Sequence, residues 1–156
     1  MSRHSHSIDI GASPEAVWAV LVDVEHWPTW ASQFERLERL EAGPLAVGNT
    51  VRCKTTDRQA TSDWVVTRYE DGRSFTWEAS LAPGLRVTGG HLVTAAGDGV
   101  NVELWLEASG WLGRLLGPML RRTIFSRNTK GAAEGLKRLM EARRRSATPP
   151  APTSDT

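Results

Sequence analysis

The chain has 156 residues, 40% of them hydrophobic and 24% charged, which are ordinary values for one globular domain with a single core. A formal net charge of +1 creates no general field for nucleic acid or acidic membranes, so we expect no nucleic-acid partner. The single cysteine, Cys53, excludes an internal disulfide. Because we find neither a signal peptide nor an apolar run long enough for a membrane span, the sequence predicts a cytoplasmic protein.

The chain begins with the pattern of a strand followed by a short helix. Residues 5–10 alternate between apolar and polar side chains, as in a half-buried strand. Ser13 is a favourable N-cap and Pro14 a favourable first helical residue, so a helix is predicted to start here. Trp27 and Trp30 then end a short turn or second helix, and we expect both to be buried structural residues.

Six further strands are predicted in the middle of the chain. Segments of alternating residues are separated by tight-turn sequences such as 70–73 and 97–99. Strands joined by hairpins form an antiparallel sheet. The predicted strands are 34–41, 50–55, 60–69, 74–81, 86–96 and 100–109.

The last long element is a predicted amphipathic helix over residues 118–145, with Pro118 in its first turn. Its apolar residues recur at helical spacing. The middle of the inward face is small or polar, with Thr123, Arg127 and Gly131 where Leu or Phe would be expected. This pattern indicates either a helix that spans a cavity or a slightly amphipathic helix that is solvated. The apolar stripe comprises Leu116, Met119, Leu120, Thr123, Ile124, Leu136, Leu139 and Met140.

These elements predict an α+β fold. An antiparallel sheet with one apolar face needs a cover, and only the last helix is long enough to supply it. We therefore expect a curved seven-stranded antiparallel sheet wrapped around a long C-terminal helix, with one or two short helices between strands 1 and 2. Residues 1–145 are predicted to form the single domain and residues 146–156, which contain three prolines, a disordered tail.

Four segments have a distinctive composition: the opening at 7–18, the acidic and tryptophan-containing segment 23–30, and the turns at 43–48 and 97–102. Together they resemble the START-like helix-grip (SRPBCC) superfamily, and in particular its polyketide cyclase/dehydrase and lipid-transport branch, although Val100 stands where members have Thr. The resemblance implies the helix-grip fold and an elongated, mostly apolar cavity between sheet and helix. Known roles of such proteins include polyketide cyclisation and lipid carriage.

A ligand site is predicted where two patterns meet. Aromatic residues alternate onto one face of neighbouring strands, and the helix stripe becomes small and polar in its middle. His91 falls on the more apolar face of its strand, where it is either a core histidine or a polar group inside the cavity. Arg127 either reaches water or points inward to bind an anion or carbonyl. The predicted ligand-binding residues are Trp64, Phe75, Trp77, His91, Thr123 and Arg127.

No metal site or cofactor site is predicted. His4 and His6 share a strand face, but a transition metal usually takes three or four ligands and no third one is placed by spacing. Cys53 has no placed histidine, and neither a nucleophile-elbow motif nor a phosphate-binding glycine loop is found.

Three functional hypotheses remain at this stage. The first is a protein that binds a hydrophobic small molecule, such as a lipid, a polyketide or an aromatic metabolite. The second is a polyketide cyclase/dehydrase-type enzyme in which His91 and Arg127 are the candidate catalytic residues. The third is a partner-binding scaffold with an incidental cavity, and the sequence is also compatible with a homodimer.

Overall fold

In a computed structural model of the chain, which describes residues 2–147, all seven strands form one antiparallel sheet. The strand bounds agree with the predicted ones to within a few residues, because the turn sequences between them are local signals. The strands are β1 Ser2–Ile10, β2 Phe34–Arg39, β3 Thr50–Thr55, β4 Ser62–Glu70, β5 Ser74–Ala82, β6 Leu85–Ala96 and β7 Gly99–Ser109.

The sheet follows the hairpin order of the chain except at its first strand. Its spatial order is β1-β7-β6-β5-β4-β3-β2, so β1 pairs with the last strand rather than with β2. Ile8 lies opposite Val102 and Ile10 opposite Val100 in that pair. The sheet curls into a half-barrel around the C-terminal helix, which confirms the predicted α+β helix-grip architecture.

The short helical region between β1 and β2 is built as predicted. Helix α1 spans Pro14–Val22, and the Ser13 hydroxyl oxygen accepts a hydrogen bond from the Ala16 N–H at 3.2 Å. A 3₁₀ helix, Val24–Thr29, follows it. Trp27 and Trp30 are both buried, as expected, and the Trp27 indole N–H donates to the Leu21 carbonyl oxygen at 3.0 Å.

The C-terminal helix begins earlier than predicted. It consists of α2 (Gly110–Leu120), a π-helical segment (Arg121–Phe125) and α3 (Ser126–Ala147), which together form a continuous helix of 38 residues. The turn between β5 and β6 supports its start, since the Gly84 carbonyl oxygen accepts hydrogen bonds from the N–H groups of Leu112 and Gly113 at 3.0 and 3.4 Å. Because the helix begins at Gly110, the predicted start near Pro118 was wrong.

At the other end, α3 includes residues 146 and 147, which we had assigned to the tail. The rest of the predicted disordered tail, residues 148–156, lies outside the described residues.

The π-helical segment changes which side of the helix faces the sheet. A π turn closes its hydrogen bonds over five residues instead of four, so it adds about one residue to that turn. Phe125, Thr129 and Ala132 are buried against the sheet, whereas Thr123 and Arg127 are exposed. The prediction that Thr123 and Arg127 lie on the inward face was wrong for this reason.

Buried side chains form two clusters of unequal size. The larger one joins α1, the 3₁₀ helix, α3 and most of the sheet, and it includes Trp27, Phe75 and Leu136. The smaller one, beneath the junction of α2 and the π-helical segment, contains only Val87, Ala108 and Phe125 as buried members.

Candidate ligand cavity

A cavity of about 190 Å³ lies between the sheet and the C-terminal helix. Its walls are mostly apolar, and the loop between β3 and β4 contributes Asp57 and Arg58 to its rim. The sheet provides Trp64, Trp77, Val87, Gly89, His91, Leu104 and Leu106. The C-terminal helix provides Leu120, Ile124, Phe125, Asn128, Thr129 and Ala132. The cavity wall nearest the 3₁₀ helix consists of Trp27, Trp30, Gln33 and Phe34.

One side of the cavity is a continuous group of aromatic rings. The Trp77 ring centroid lies 5.6 Å from that of Trp64 and 5.1 Å from that of Trp27. Trp77 pairs across the sheet with Gly89, and a Cβ atom at Gly89 would lie 2.8 Å from the Trp77 indole nitrogen. The absence of a side chain at Gly89 therefore allows the Trp77 ring to lie against the neighbouring strand.

His91 is the buried polar group of this wall. Its ring stacks on Phe75 with 4.2 Å between centroids, and its Nδ1 lies 3.2 Å from the Phe75 carbonyl oxygen. Burial lowers the pKa of His91 to about 4, although the hydrogen bond to Phe75 opposes this shift, so the ring is neutral at pH 7.

The hydrogen bond also fixes the tautomer of His91. A carbonyl oxygen can only accept, so Nδ1 carries the proton and Nε2 has a free lone pair. Within residues 2–147, Nε2 has no hydrogen-bond partner.

Two further groups at the cavity wall are polar but uncharged. Burial raises the pKa of the Cys53 thiol to about 12, so this side chain is a protonated thiol and not a nucleophile at pH 7. The Trp30 indole N–H is buried and has no hydrogen-bond partner among the described residues. A buried donor without a partner normally costs about 1–3 kcal/mol, so such a group calls for an explanation.

The polar groups of the helix wall are largely satisfied by the helix itself. The Thr129 hydroxyl donates to the Phe125 carbonyl oxygen at 2.8 Å. The Gln33 side-chain amide donates to the Asn128 carbonyl oxygen at 3.2 Å, which ties the start of β2 to α3. The helix therefore presents a mainly apolar surface to the cavity.

The structure brings together three of the six predicted site residues. Trp64, Trp77 and His91 line the cavity, and Phe75 lies fully buried behind His91. Thr123 and Arg127 lie on the exposed side of the helix and do not line it. Whether the lining residues bind a ligand remains a prediction.

Sequence reasoning missed the helix residues that do line the cavity. Phe125, Thr129 and Ala132 follow one another at steps of four and three, which is helical spacing. Leu136 continues this pattern into the core. This spacing is visible in the sequence. A second set of residues at helical spacing, on a different side of the helix, contains more leucines and methionines and was assigned to the inward face instead.

His4 and His6 lie on β1, and no group of three or more possible metal ligands comes together in the described part of the chain. None of the helices within residues 2–147 has the length and apolar character needed to cross a membrane.

A curled antiparallel sheet that grips a long C-terminal helix across an apolar cavity defines a START-like helix-grip domain. Residues 1–141 match the family described as polyketide cyclase / dehydrase and lipid transport, and the chain belongs to this family. No curated protein matches the sequence.

Solved structures share the fold at low sequence identity. The di-domain ARO/CYC StfQ from the steffimycin biosynthetic pathway is 18% identical with a TM-score of 0.74, over 92% of this chain and 51% of StfQ, so the chain spans about half of that protein. A START superfamily protein from Mycobacterium smegmatis is 14% identical with a TM-score of 0.73, over 92% and 99% of the two chains. A norcoclaurine synthase from Thalictrum is 14% identical with a TM-score of 0.71, over 91% and 95%.

Proposed function

We propose that this protein binds a small aromatic molecule in the cavity between the sheet and the C-terminal helix. The observation that carries the proposal is an apolar cavity walled by packed aromatic rings, with an unpartnered acceptor, His91 Nε2, in its wall. Apolar walls with a few convergent polar groups are the usual composition of small-molecule sites. Membership of a family described by cyclase/dehydrase and lipid-transport roles supports a bound hydrophobic ligand.

The size of the cavity narrows the ligand class. An apolar cavity of about 150 Å³ is enough to bind benzene. The volume of about 190 Å³ therefore suits a single ring or two fused rings better than a long lipid or an extended polyketide chain. Among the three ligand classes that the sequence left open, the aromatic metabolite fits best.

The polar groups favour a ligand with a hydroxyl group. Neutral His91 offers a lone pair on Nε2, which accepts a hydrogen bond from a phenol-type O–H. Trp30 also lines the cavity, but its indole N–H is fully buried and does not face the open space. A phenol-type O–H can donate to the His91 lone pair, whereas a plain hydrocarbon cannot.

A cyclase/dehydrase-type enzyme is the second candidate, supported by the family and by similarity to the ARO/CYC protein StfQ. A general base works best when its pKa lies near the working pH. The pKa of His91, at about 4, makes it a weak base at pH 7, and Arg127 lies outside the cavity. These two observations favour binding over catalysis and leave Asp57 and Arg58 at the rim as the charged groups for any reaction.

Equilibrium dialysis with 2-naphthol and naphthalene tests the proposal, because the two probes differ only in the hydroxyl group. We expect the parent protein to bind both, with 2-naphthol about fivefold to tenfold tighter, since one hydrogen bond contributes about 1 kcal/mol. His91→Phe keeps an aromatic ring but removes the acceptor, so the preference for 2-naphthol should disappear.

A cavity-filling variant and a matched control complete this experiment. Ala132→Leu should abolish uptake of both probes, because Ala132 faces the cavity. Gly131→Ala, at the neighbouring exposed position, should leave uptake unchanged. If the parent protein takes up neither probe, the ligand-binding proposal is wrong and the scaffold hypothesis replaces it.

A further inference from the structure

Helix α2 exposes a row of large apolar side chains to solvent. Trp111, Leu115 and Met119 follow one another at steps of four, which places them on one side of the helix, and their exposed fractions are 67%, 71% and 56%. Ile124, in the π-helical segment, is 41% exposed. These four residues are called the α2 stripe below.

The α2 stripe is separate from the side of α2 that packs on the sheet. Gly113 and Gly117 are buried, and Leu112 and Leu116 are partly buried, so α2 has its own packing face. Exposed apolar residues that occur singly are normal, but a contiguous row of them marks an interaction surface. The stripe therefore needs an occupant that the domain itself does not supply.

Within the chain segment that carries the α2 stripe, every charged side chain is positive. No carboxylate occurs in the sequence between Glu107 and Glu134. The whole chain has a net charge of +1, so the remainder of the protein is net negative and the positive charge is concentrated here. The basic side chains of this segment are Arg114, Arg121, Arg122, Arg127 and Lys130, all exposed.

These five cations are also unpaired within residues 2–147. Every ion pair that the structure contains there joins other residues, and no hydrogen bond uses their side chains. An occupant of the α2 stripe must therefore combine apolar character with negative charge.

We propose that the α2 stripe docks on the surface of an anionic lipid membrane. A helix that lies in the membrane interface presents Trp and Leu to the acyl-chain boundary and Arg or Lys to the headgroups, which is the pattern of residues 111–130. Arginine side chains contact lipid phosphates while their stems lie along apolar surface. Attraction to anionic lipid adds to the apolar burial.

The α2 stripe and the cavity lining have a residue in common. Leu120 and Ile124 line the cavity, and Ile124 also belongs to the stripe. The α2 stripe therefore adjoins one wall of the cavity. Docking would bring this wall close to the membrane, in which apolar aromatic molecules dissolve.

A second copy of the chain fits the observations less well as the occupant. Docked symmetrically, it would bring two clusters of unpaired arginines together, and like charges across an interface oppose association.

Vesicle co-sedimentation tests the proposal with two lipid compositions, pure phosphatidylcholine and phosphatidylcholine with about one third phosphatidylglycerol. We expect binding to the anionic vesicles that weakens with salt, and at least tenfold weaker binding to the neutral ones. Leu115→Glu should reduce binding to anionic vesicles at least tenfold. Val47→Glu is the control, because Val47 is a similarly exposed apolar residue in the loop between β2 and β3.

A second pair of variants separates the charge contribution from folding effects. Replacing Arg114, Arg121 and Arg122 with Gln should weaken binding on the order of 100-fold. Replacing Arg138, Arg143 and Arg145 with Gln changes the net charge equally at the other end of the same helix and should have little effect. Melting temperatures of all variants are measured alongside.

Three results would overturn the membrane proposal. They are equal binding to both lipid compositions, no binding to either, and equal losses of vesicle binding in the two triple-arginine variants. If the parent protein is a dimer in solution and Leu115→Glu makes it a monomer, a second copy is the occupant instead. Uptake of 2-naphthol in vesicle-free solution tests the cavity separately, so failure of either proposal leaves the other intact.

Discussion

The two ends of the C-terminal helix differ in how densely they are packed against the rest of the domain. At the α3 end, the helix is packed against α1, the 3₁₀ helix and the sheet, and Gly135 lies so close to Trp30 that an added Cβ atom would overlap the Trp30 carbonyl oxygen. At the α2 end, buried packing is confined to a small cluster and apolar residues face solvent, while the cavity lies beneath the π-helical segment and the first turns of α3.

The difference separates the dense core from the exposed apolar surface along a single helix. The closed end has the dense core that orders the domain, and dense cores tolerate little change in volume. The open end has few buried contacts, and regions of that kind open with the least free energy. The π-helical segment lies at the boundary between the two ends and forms part of the cavity wall.

The largest expected effect is loss of a ring at the closed end. Trp27→Ala should lower the free energy of unfolding by about 3–5 kcal/mol, because it removes a buried ring that contacts five other aromatic side chains. Trp111→Ala is the matched change at the open end and should alter stability by less than about 0.5 kcal/mol. Urea denaturation measures both, and equal losses would contradict the division into a closed and an open end.

The second prediction concerns the pH dependence of stability that His91 causes. The folded-state pKa of His91, about 4, lies below the ordinary value of 6.5, so the unfolded chain binds the proton first as pH falls. His91 therefore lowers stability progressively from about pH 6.5 to about pH 4, by roughly 3 kcal/mol, and has no effect above this window.

His91→Gln isolates this contribution, because glutamine does not titrate and still donates to the Phe75 carbonyl oxygen. Unfolding free energies at pH 7.0 and pH 4.5 are compared for both proteins. The decrease in unfolding free energy between pH 7.0 and pH 4.5 should be clearly smaller in the variant than in the parent protein. The same loss in both would mean that His91 is not a buried neutral group.

A third prediction tests the tight packing at Gly135. Gly135→Ala should lower stability by about 1–3 kcal/mol, because its Cβ meets the rigid backbone of Trp30. Thermal unfolding followed by circular dichroism checks it. A stability gain would show that the two backbones separate easily.

A small gain in stability is expected one turn earlier, at Gly131. Its added Cβ would have Gln33 Oε1 at 4.0 Å as its nearest neighbour, so there is room for it. Gly131→Ala should therefore raise stability by about 0.5–1 kcal/mol through helix propensity alone. The same denaturation series measures it, and a loss of stability would mean that Gly131 packs more closely than it does here.

Much of the fold was predictable because its signals are local. Ser13 and Pro14 set the start of α1 through their own chemistry, and the turn at Gly72 fixes the β4–β5 hairpin with a positive φ of 76°. The alternation of Phe75, Trp77 and Ala79 follows from the two-residue period of a strand, which assigns all three to the buried face. Such features need no knowledge of distant residues.

The site was only partly predictable, because its helix wall depends on distant contacts. Trp64, Trp77 and His91 line the cavity, and their side of the sheet could be assigned from sequence because strand alternation has only two possible phases. A helix can turn any of its sides towards the sheet, because its side chains point in many directions around the axis. The hydrogen bonds to the Gly84 carbonyl oxygen at its start and the π-helical segment in its middle determine which side does so. Those two features turned Thr123 and Arg127 towards solvent and Phe125 and Ala132 towards the sheet.

The sequence by itself thus determined the element order, the hairpin topology and the aromatic face of the sheet, because backbone geometry and turn chemistry act over a few residues. The tertiary structure decided the neutral state of His91, the burial of the Trp30 indole N–H and the exposure of the α2 stripe. Each of these depends on the desolvation and free space that neighbouring elements create, and no local pattern encodes that environment.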